Sequence, residues 1–147
     1  MPVVVDTSVF VDSILEFDEY RTNIIAEDLL ETIQNESLEI VNPVLFRVEL
    51  AGVLSRKLPE NRVKLIVEDI LEDVKLIPNP DNLAFEVAIK TSSRAADAYF
   101  IATAKLTNSI LVTNDKIMVK NAKKAGVESY YLIEEFDKAV ERIRGIR

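Results

Sequence analysis

Histidine and cysteine are both missing from this sequence, and each absence removes a block of chemistry. Without histidine there is no Ser-His-Asp triad, no His-Glu zinc site and no imidazole acid–base catalysis. Without cysteine there is no disulfide, no thiolate metal site and no thiol nucleophile, as expected in a reducing cytoplasm. No apolar run approaches the roughly 18–20 residues that span a bilayer, so no membrane association is expected. The N-terminal apolar stretch carries Asp6 and Asp12 and lacks a basic leader, unlike a signal peptide. The three glycines are scattered and the prolines stand singly, so no linker or low-complexity tract interrupts the chain. Positive charge is the minority, 18 Lys and Arg against 25 Asp and Glu, for a net charge of −7. That balance argues against a general nucleic-acid coat and leaves room for a local basic strip.

What remains for catalysis is carboxylates, hydroxyls, lysines or a metal. A site built from oxygens alone favours hard cations, Mg²⁺ or Mn²⁺, over Zn²⁺.

The 147 residues, 48% of them hydrophobic, suit one domain spanning 1–147. Short apolar runs predict strands at 3–5, 38–41, 74–77, 110–113 and 127–132. Helical spacing predicts helices from residue 7 or 8 to about 17, and at 20–34, 42–57, 60–72, 81–90, 95–106, 116–125 and 134–144. Thr7 or Ser8 reads as the cap of the first helix, and Asn42-Pro43 as cap and first-turn proline of the third. Gly126 reads as the stop after the seventh. Strands alternating with helices give an α/β fold, with a mostly parallel sheet of about five strands covered on both faces.

Four acids keep unusual company. Asp6 ends the most apolar strand, and Asp115 follows directly after Ile110-Leu111-Val112-Thr113-Asn114. In an open parallel sheet, ligands bind in the crevice outside the carboxyl ends of the strands. Each could instead simply cap the helix that follows. Glu49 is the only acid between Val44 and Pro59, on a helix whose apolar residues surround it and predict burial. A carboxylate there must be paired or metal-bound, and neither Arg47 nor Arg56 stands at i±3 or i±4. Asp97 is the only acid between Arg94 and Asp115, in an alanine-rich apolar helix. Its plainer role is a first-turn acid favoured by the helix dipole. Together, one isolated acid on each of four apolar elements points to a shared divalent-metal site.

The segments Val4-Val5-Asp6-Thr7-Ser8, Glu49 on the helix after Pro43, Ala96-Asp97-Ala98-Tyr99-Phe100-Ile101-Ala102-Thr103-Ala104 and Leu111-Val112-Thr113-Asn114-Asp115 resemble a PIN domain. The resemblance covers nearly the whole chain in order; its most specific part is the Asp-Ala-Tyr-Phe-Ile-Ala segment followed by Thr-Asn-Asp. It implies a three-layer α/β/α nuclease that binds Mg²⁺ or Mn²⁺ through such acids and cuts RNA. It extends to the small VapC-type toxins, which usually dimerise and are held inactive by an antitoxin. A further acid often follows the last motif by two or three residues, where this chain has Ile117 and Met118. One metal is therefore well provided for, and a second lacks a ligand.

On this reading Asp6, Glu49, Asp97 and Asp115 bind the metal directly or through water, and Glu49 also orients the attacking water. The hydroxyls of Thr7, Ser8 and Thr113, with Asn114, could position the acids or a phosphate, though helix capping is the plainer role for Thr7 and Ser8. Lys116, Lys120, Lys123 and Lys124 fall on one helix face, an ordinary solvated face or else a phosphate track. Arg94 is a second candidate RNA contact. Arg142, Arg144 and Arg147 read as favourable charge at a helix C-terminus.

A response-regulator domain would need a phosphoacceptor aspartate after the third strand, and residues 74–79 offer none. A phosphohydrolase with Asp6 as nucleophile usually wants a second acid where Ser8 stands. A catalytically silent PIN-like scaffold for RNA or protein would be favoured by loss of one of the four acids, and all four are present. The helix over 44–58 carries more apolar surface than one packing contact uses, which predicts a homodimer.

Overall fold

The computed structural model describes residues 1–15 and 20–146. The triple valine of β1 (Val3–Val5) is wholly buried and forms the middle of a five-stranded sheet of order β3-β2-β1-β4-β5. The other strands are β2 (Ile40–Pro43), β3 (Val74–Ile77), β4 (Ile110–Thr113) and β5 (Ser129–Tyr131), and every pairing is parallel. A parallel sheet needs a crossover between neighbours, and the helices supply them: α1 (Thr7–Ile14), α2 (Tyr20–Asn35), α3 (Leu45–Leu54), α4 (Glu60–Glu72), α5 (Asp81–Thr91), α6 (Ala95–Thr107), α7 (Lys116–Lys124) and α8 (Leu132–Arg144). The expected α/β fold with a five-stranded parallel sheet is the observed one. None of the described helices is long and apolar enough to cross a membrane.

The chain leaves β1 toward β2 and β3 on one side, then crosses back to lay β4 and β5 on the other. The order therefore reverses between β1 and β4, and at such a switch point the loops diverge and open a crevice at the strands' carboxyl ends. Asp6 follows β1 and Asp115 stands two residues beyond β4, so both acids sit at the carboxyl ends of the two strands that flank the switch point.

Several expected boundaries shift, with physical reasons. Asn42-Pro43 does not start a helix; both residues complete β2. The Asn42 carboxamide is used across the sheet, Nδ2 donating to the Val5 carbonyl at 2.9 Å and Oδ1 accepting from the Val5 N–H at 3.2 Å. A side-chain amide offers the donor and acceptor of a peptide unit, so it can stand in for a ladder rung. The helix starts later, with Val44 as N-cap, and the Leu45 N–H finds Asn79 Oδ1 at 3.1 Å instead of a local cap. Thr7 and Ser8 are not caps either: Asp6 is the N-cap of α1, without a side-chain capping bond. The expected end of that helix, Phe17, lies outside the described residues. In α8, Glu135 takes non-helical dihedrals (φ −118°, ψ 26°), and its side chain accepts the Tyr131 N–H at 3.0 Å. Gly126 ends α7 as expected, with φ +82°.

Candidate metal centre

Three aromatic rings bring three of the acid-bearing helices together. Phe10 of α1 lies 5.1 Å from Phe46 of α3, which lies 6.3 Å edge-on from Phe100 of α6. Such offset contacts suit the ring quadrupoles, and all three rings are buried. Each ring stands three or four residues from an acid: Asp6 and Phe10, Phe46 and Glu49, Asp97 and Phe100. Residues at that spacing share a helix face. Burying the rings therefore draws Asp6, Glu49 and Asp97 to one place.

Asp6 is only 7% exposed. Its Oδ2 accepts from Ser8 Oγ at 2.7 Å and from Thr113 Oγ1 at 2.9 Å. Burial raises its pKa, and these hydrogen bonds only partly oppose the rise. Thr113 Oγ1 also accepts the Asp115 N–H at 3.0 Å, and Ser8 Oγ accepts the Asn114 N–H at 3.0 Å. Two hydroxyls thus tie the end of β1 to the turn after β4.

Glu49 is half-buried and takes Thr7 Oγ1 on its Oε1 at 2.5 Å. Its pKa is raised by burial and by the charge of Asp6, against the Thr7 bond. Neither Arg47 nor Arg56 pairs with it among the described residues. The surrounding helix is less enclosed than its composition implies, because Val44 and Val48 are 43% and 69% exposed. The burial of Glu49 comes from its own face of α3, not from a helix sunk on all sides.

Asp97 does lie in the first turn of α6, where the dipole favours it. Its surroundings act the other way and push its pKa up to about 6: burial first, then the charges of Asp6, Asp115 and Glu49. Arg94, the exposed N-cap of α6, is the one charge among these causes that opposes the shift. Asp115 is a cap as well as a neighbour of the cluster; its Oδ1 accepts from the Ile117 and Met118 N–H groups at 2.9 and 3.2 Å. The structure thus brings Asp97 within electrostatic reach of Asp6, Asp115 and Glu49, and Glu49 within reach of Asp6. Thr7, Ser8 and Thr113 donate directly to two of the carboxylates, those of Glu49 and Asp6.

Lys116 and Lys120 are exposed on α7, and Lys116 lies 3.9 Å from Glu134. Both extend outward from the helix that starts at Asp115. Sequence reasoning passed over Asp12, a fifth acid. It is half-buried, it accepts from Asn114 Nδ2 at 2.5 Å, and its pKa is raised by burial and by Asp6. The available signal was spacing alone: Asp12 stands one helical turn after Ser8.

All donors in the cluster are oxygens, the set that hard divalent cations prefer. Among the described residues no group of three acids could hold an ion by itself in this arrangement. Mg²⁺ in general keeps several waters and is held by one or two carboxylates directly.

The chain has a match among solved structures in the crystal structure of PAE2754 from Pyrobaculum aerophilum, at 16% identity and a TM-score of 0.65. That match covers 99% of this chain and 98% of the other, and at such identity it speaks for the fold. No curated protein matches. The profile of the PIN domain matches residues 3–124, and the chain belongs to that family, whose members are mostly metal-dependent ribonucleases.

Proposed function

We propose that this chain, acting as one domain, is an Mg²⁺- or Mn²⁺-dependent endoribonuclease whose metal site is Asp6, Glu49, Asp97 and Asp115. The observation that carries the reading is the gathering of these acids. Thr7, Ser8 and Thr113 tie Glu49, Asp6 and the Asp115 main chain together. Asp97 lies within electrostatic reach of all three acids, which with burial push its carboxyl up to about 6. A partly buried carboxylate facing three more is unfavourable unless a cation offsets the repulsion. When bound, the ion neutralises phosphate oxygens, activates a water and stabilises the leaving oxygen.

The chain's own residues hold that arrangement. Ser8 and Thr113 fix Asp6, and Thr7 fixes Glu49. With one oxygen of Glu49 held by Thr7, its other oxygen orients the attacking water. The Asp115 N-cap bonds hold that carboxylate at the carboxyl end of β4, beside the switch point. Arg94, near Asp97, and Lys116 and Lys120, on the helix that Asp115 caps, are exposed and would meet the RNA backbone.

The finer reading is the toxin of a toxin–antitoxin pair, working in the cytoplasm as a homodimer. A groove of about 1090 Å³ between α1, α2 and α4 carries Glu27, Glu31, Asp69 and Asp73 and has no lysine or arginine among its described lining residues. An antitoxin segment suited to it is apolar with basic flanks.

The test is cleavage by purified protein. RNA should be cut only with Mg²⁺ or Mn²⁺, leaving 5′-phosphate and 3′-hydroxyl ends, because water attacks phosphorus without using the 2′-hydroxyl. Ends carrying 2′,3′-cyclic phosphate would contradict the mechanism. RNA bound but never cut with Mn²⁺ would favour the silent scaffold.

A further inference from the structure

Asn114, the residue between Thr113 and Asp115, is gripped by α1 at two points. Its backbone N–H donates to Ser8 Oγ at 3.0 Å and its side-chain Nδ2 donates to Asp12 Oδ2 at 2.5 Å. Ser8 and Asp12 are one turn apart on α1, so a single helix face holds both the main chain and the side chain of Asn114. Ser8 is also a partner of Asp6, and the next residue after Asn114 is Asp115. Asp12 itself sits on a fixed stretch of helix. Buried Asn23 of α2 donates Nδ2 to the Asp12 carbonyl at 2.9 Å and to the Ser13 carbonyl at 3.1 Å.

A carboxylate only accepts hydrogen bonds. Asp12 therefore decides which end of the Asn114 carboxamide faces it, and turns Oδ1 away. That oxygen is buried and has no hydrogen-bond partner among the described residues. In proteins such an acceptor is normally met by water or a ligand; the Asp12 bond fixes which way the carboxamide turns. No ladder or helix bond explains this contact, which joins residues 102 positions apart.

We infer that Asp12 is a positioning residue of the metal site, holding the turn at residues 113–115 through Asn114 so that Asp6 and Asp115 stay in register for a divalent cation. The inference rests on the metal-site reading above. Residues that orient ligands from outside typically change metal affinity by roughly 10–100-fold when removed.

The experiment is Mn²⁺ titration without RNA, by calorimetry and water-proton relaxation, alongside circular dichroism of the metal-free proteins. Asp12→Ala and Asn114→Ala should each weaken Mn²⁺ binding about tenfold, and the double variant should be no weaker than either, since both cut one linkage. Asp12→Asn keeps an acceptor oxygen and should bind within about threefold of wild type. Wild-type affinity in Asp12→Ala overturns the inference. So does a double variant weakened about a hundredfold, which would mean the two residues act separately. Asp12→Asn as weak as Asp12→Ala would make Asp12 a source of charge for the ion, not a positioner. Should Asp12→Ala fail to fold, Asp12→Asn must add nothing in the Asn114→Ala background. Wild-type protein that binds no Mn²⁺ at all removes the metal-site reading and this inference together, an outcome distinct from normal wild-type binding with an indifferent Asp12→Ala.

Discussion

Asp97 shows how much a single residue can report. Its carboxyl ordinarily titrates near 3.8, and in the fold near 6. Between those values the folded chain holds a proton that the unfolded chain has released. The stability linked to this group is therefore complete below about pH 3.8 and is lost as the pH rises through about 6. At neutral pH the charged form costs the metal-free protein on the order of 1–2 kcal/mol, a figure discounted for the solvent that still reaches the side chain. Asp97→Asn keeps the shape and removes the charge. The expected results are a melting temperature roughly 2–6 °C higher in EDTA at neutral pH, a flatter melting profile across the acid range, and loss of cleavage. Stabilisation by Mn²⁺ should shrink as well, by up to about 1.4 kcal/mol for a tenfold weaker site with metal in excess. A first-turn acid serving only the helix dipole predicts the reverse: a slightly lower melting temperature, with metal response and activity unchanged. Melts of both proteins with EDTA and with Mn²⁺ separate the two.

At the scale of elements, the sequence was most legible where pattern alone decides the structure. The triple valine, the run Ile110–Thr113 and the amphipathic α4 and α7 form where apolar spacing places them. The switch-point position of Asp6 and Asp115 was readable too, because each closes an apolar strand. What pattern could not convey is where a polar side chain spends its hydrogen bonds. Asn42-Pro43 carries the local chemistry of a helix start, yet Asn42 bonds a neighbouring strand and Asn79 supplies the cap from a distant loop. Thr7 and Ser8 likewise bond Glu49 and Asp6, and Asp12 reaches Asn114, all contacts fixed by tertiary structure. The basic face of α7 is a case where pattern and structure agree, with Met118, Val119 and Ala122 buried beneath the exposed Lys116, Lys120, Lys123 and Lys124. The Lys116–Glu134 pair is long and exposed, so it holds the lysine only weakly. If this face follows an RNA backbone, Lys116→Ala with Lys120→Ala should weaken binding. The slope of log K against log salt should then fall by about one unit for each phosphate that no longer meets a lysine. The circular dichroism spectrum should not change. An unaltered slope assigns the face to solvent.

For the whole molecule, four of the exposed apolar side chains fall in two pairs on neighbouring elements. Val44 and Val48 of α3 are 43% and 69% exposed, and Phe85 and Ile89 of α5 are each 64% exposed. Each is an i, i+4 pair, so each forms one apolar stripe on its helix. The Leu45–Asn79 bond brings the start of α3 beside the loop that leads into α5. Stripes of this kind are what a two-fold interface buries, the same surface of each copy meeting itself. Light scattering should therefore give twice the 16.6 kDa chain mass at micromolar concentration, and Val48→Glu with Phe85→Glu should return the protein to monomer. Salt supplies a second criterion. Each chain carries a net charge of −7, so two copies repel at long range while the apolar contact is indifferent to ions. Raising ionic strength should accordingly tighten the dimer, whereas RNA binding through lysines weakens under the same change. Protein that stays monomeric at high salt and high concentration leaves those four side chains without a partner copy and overturns the dimer.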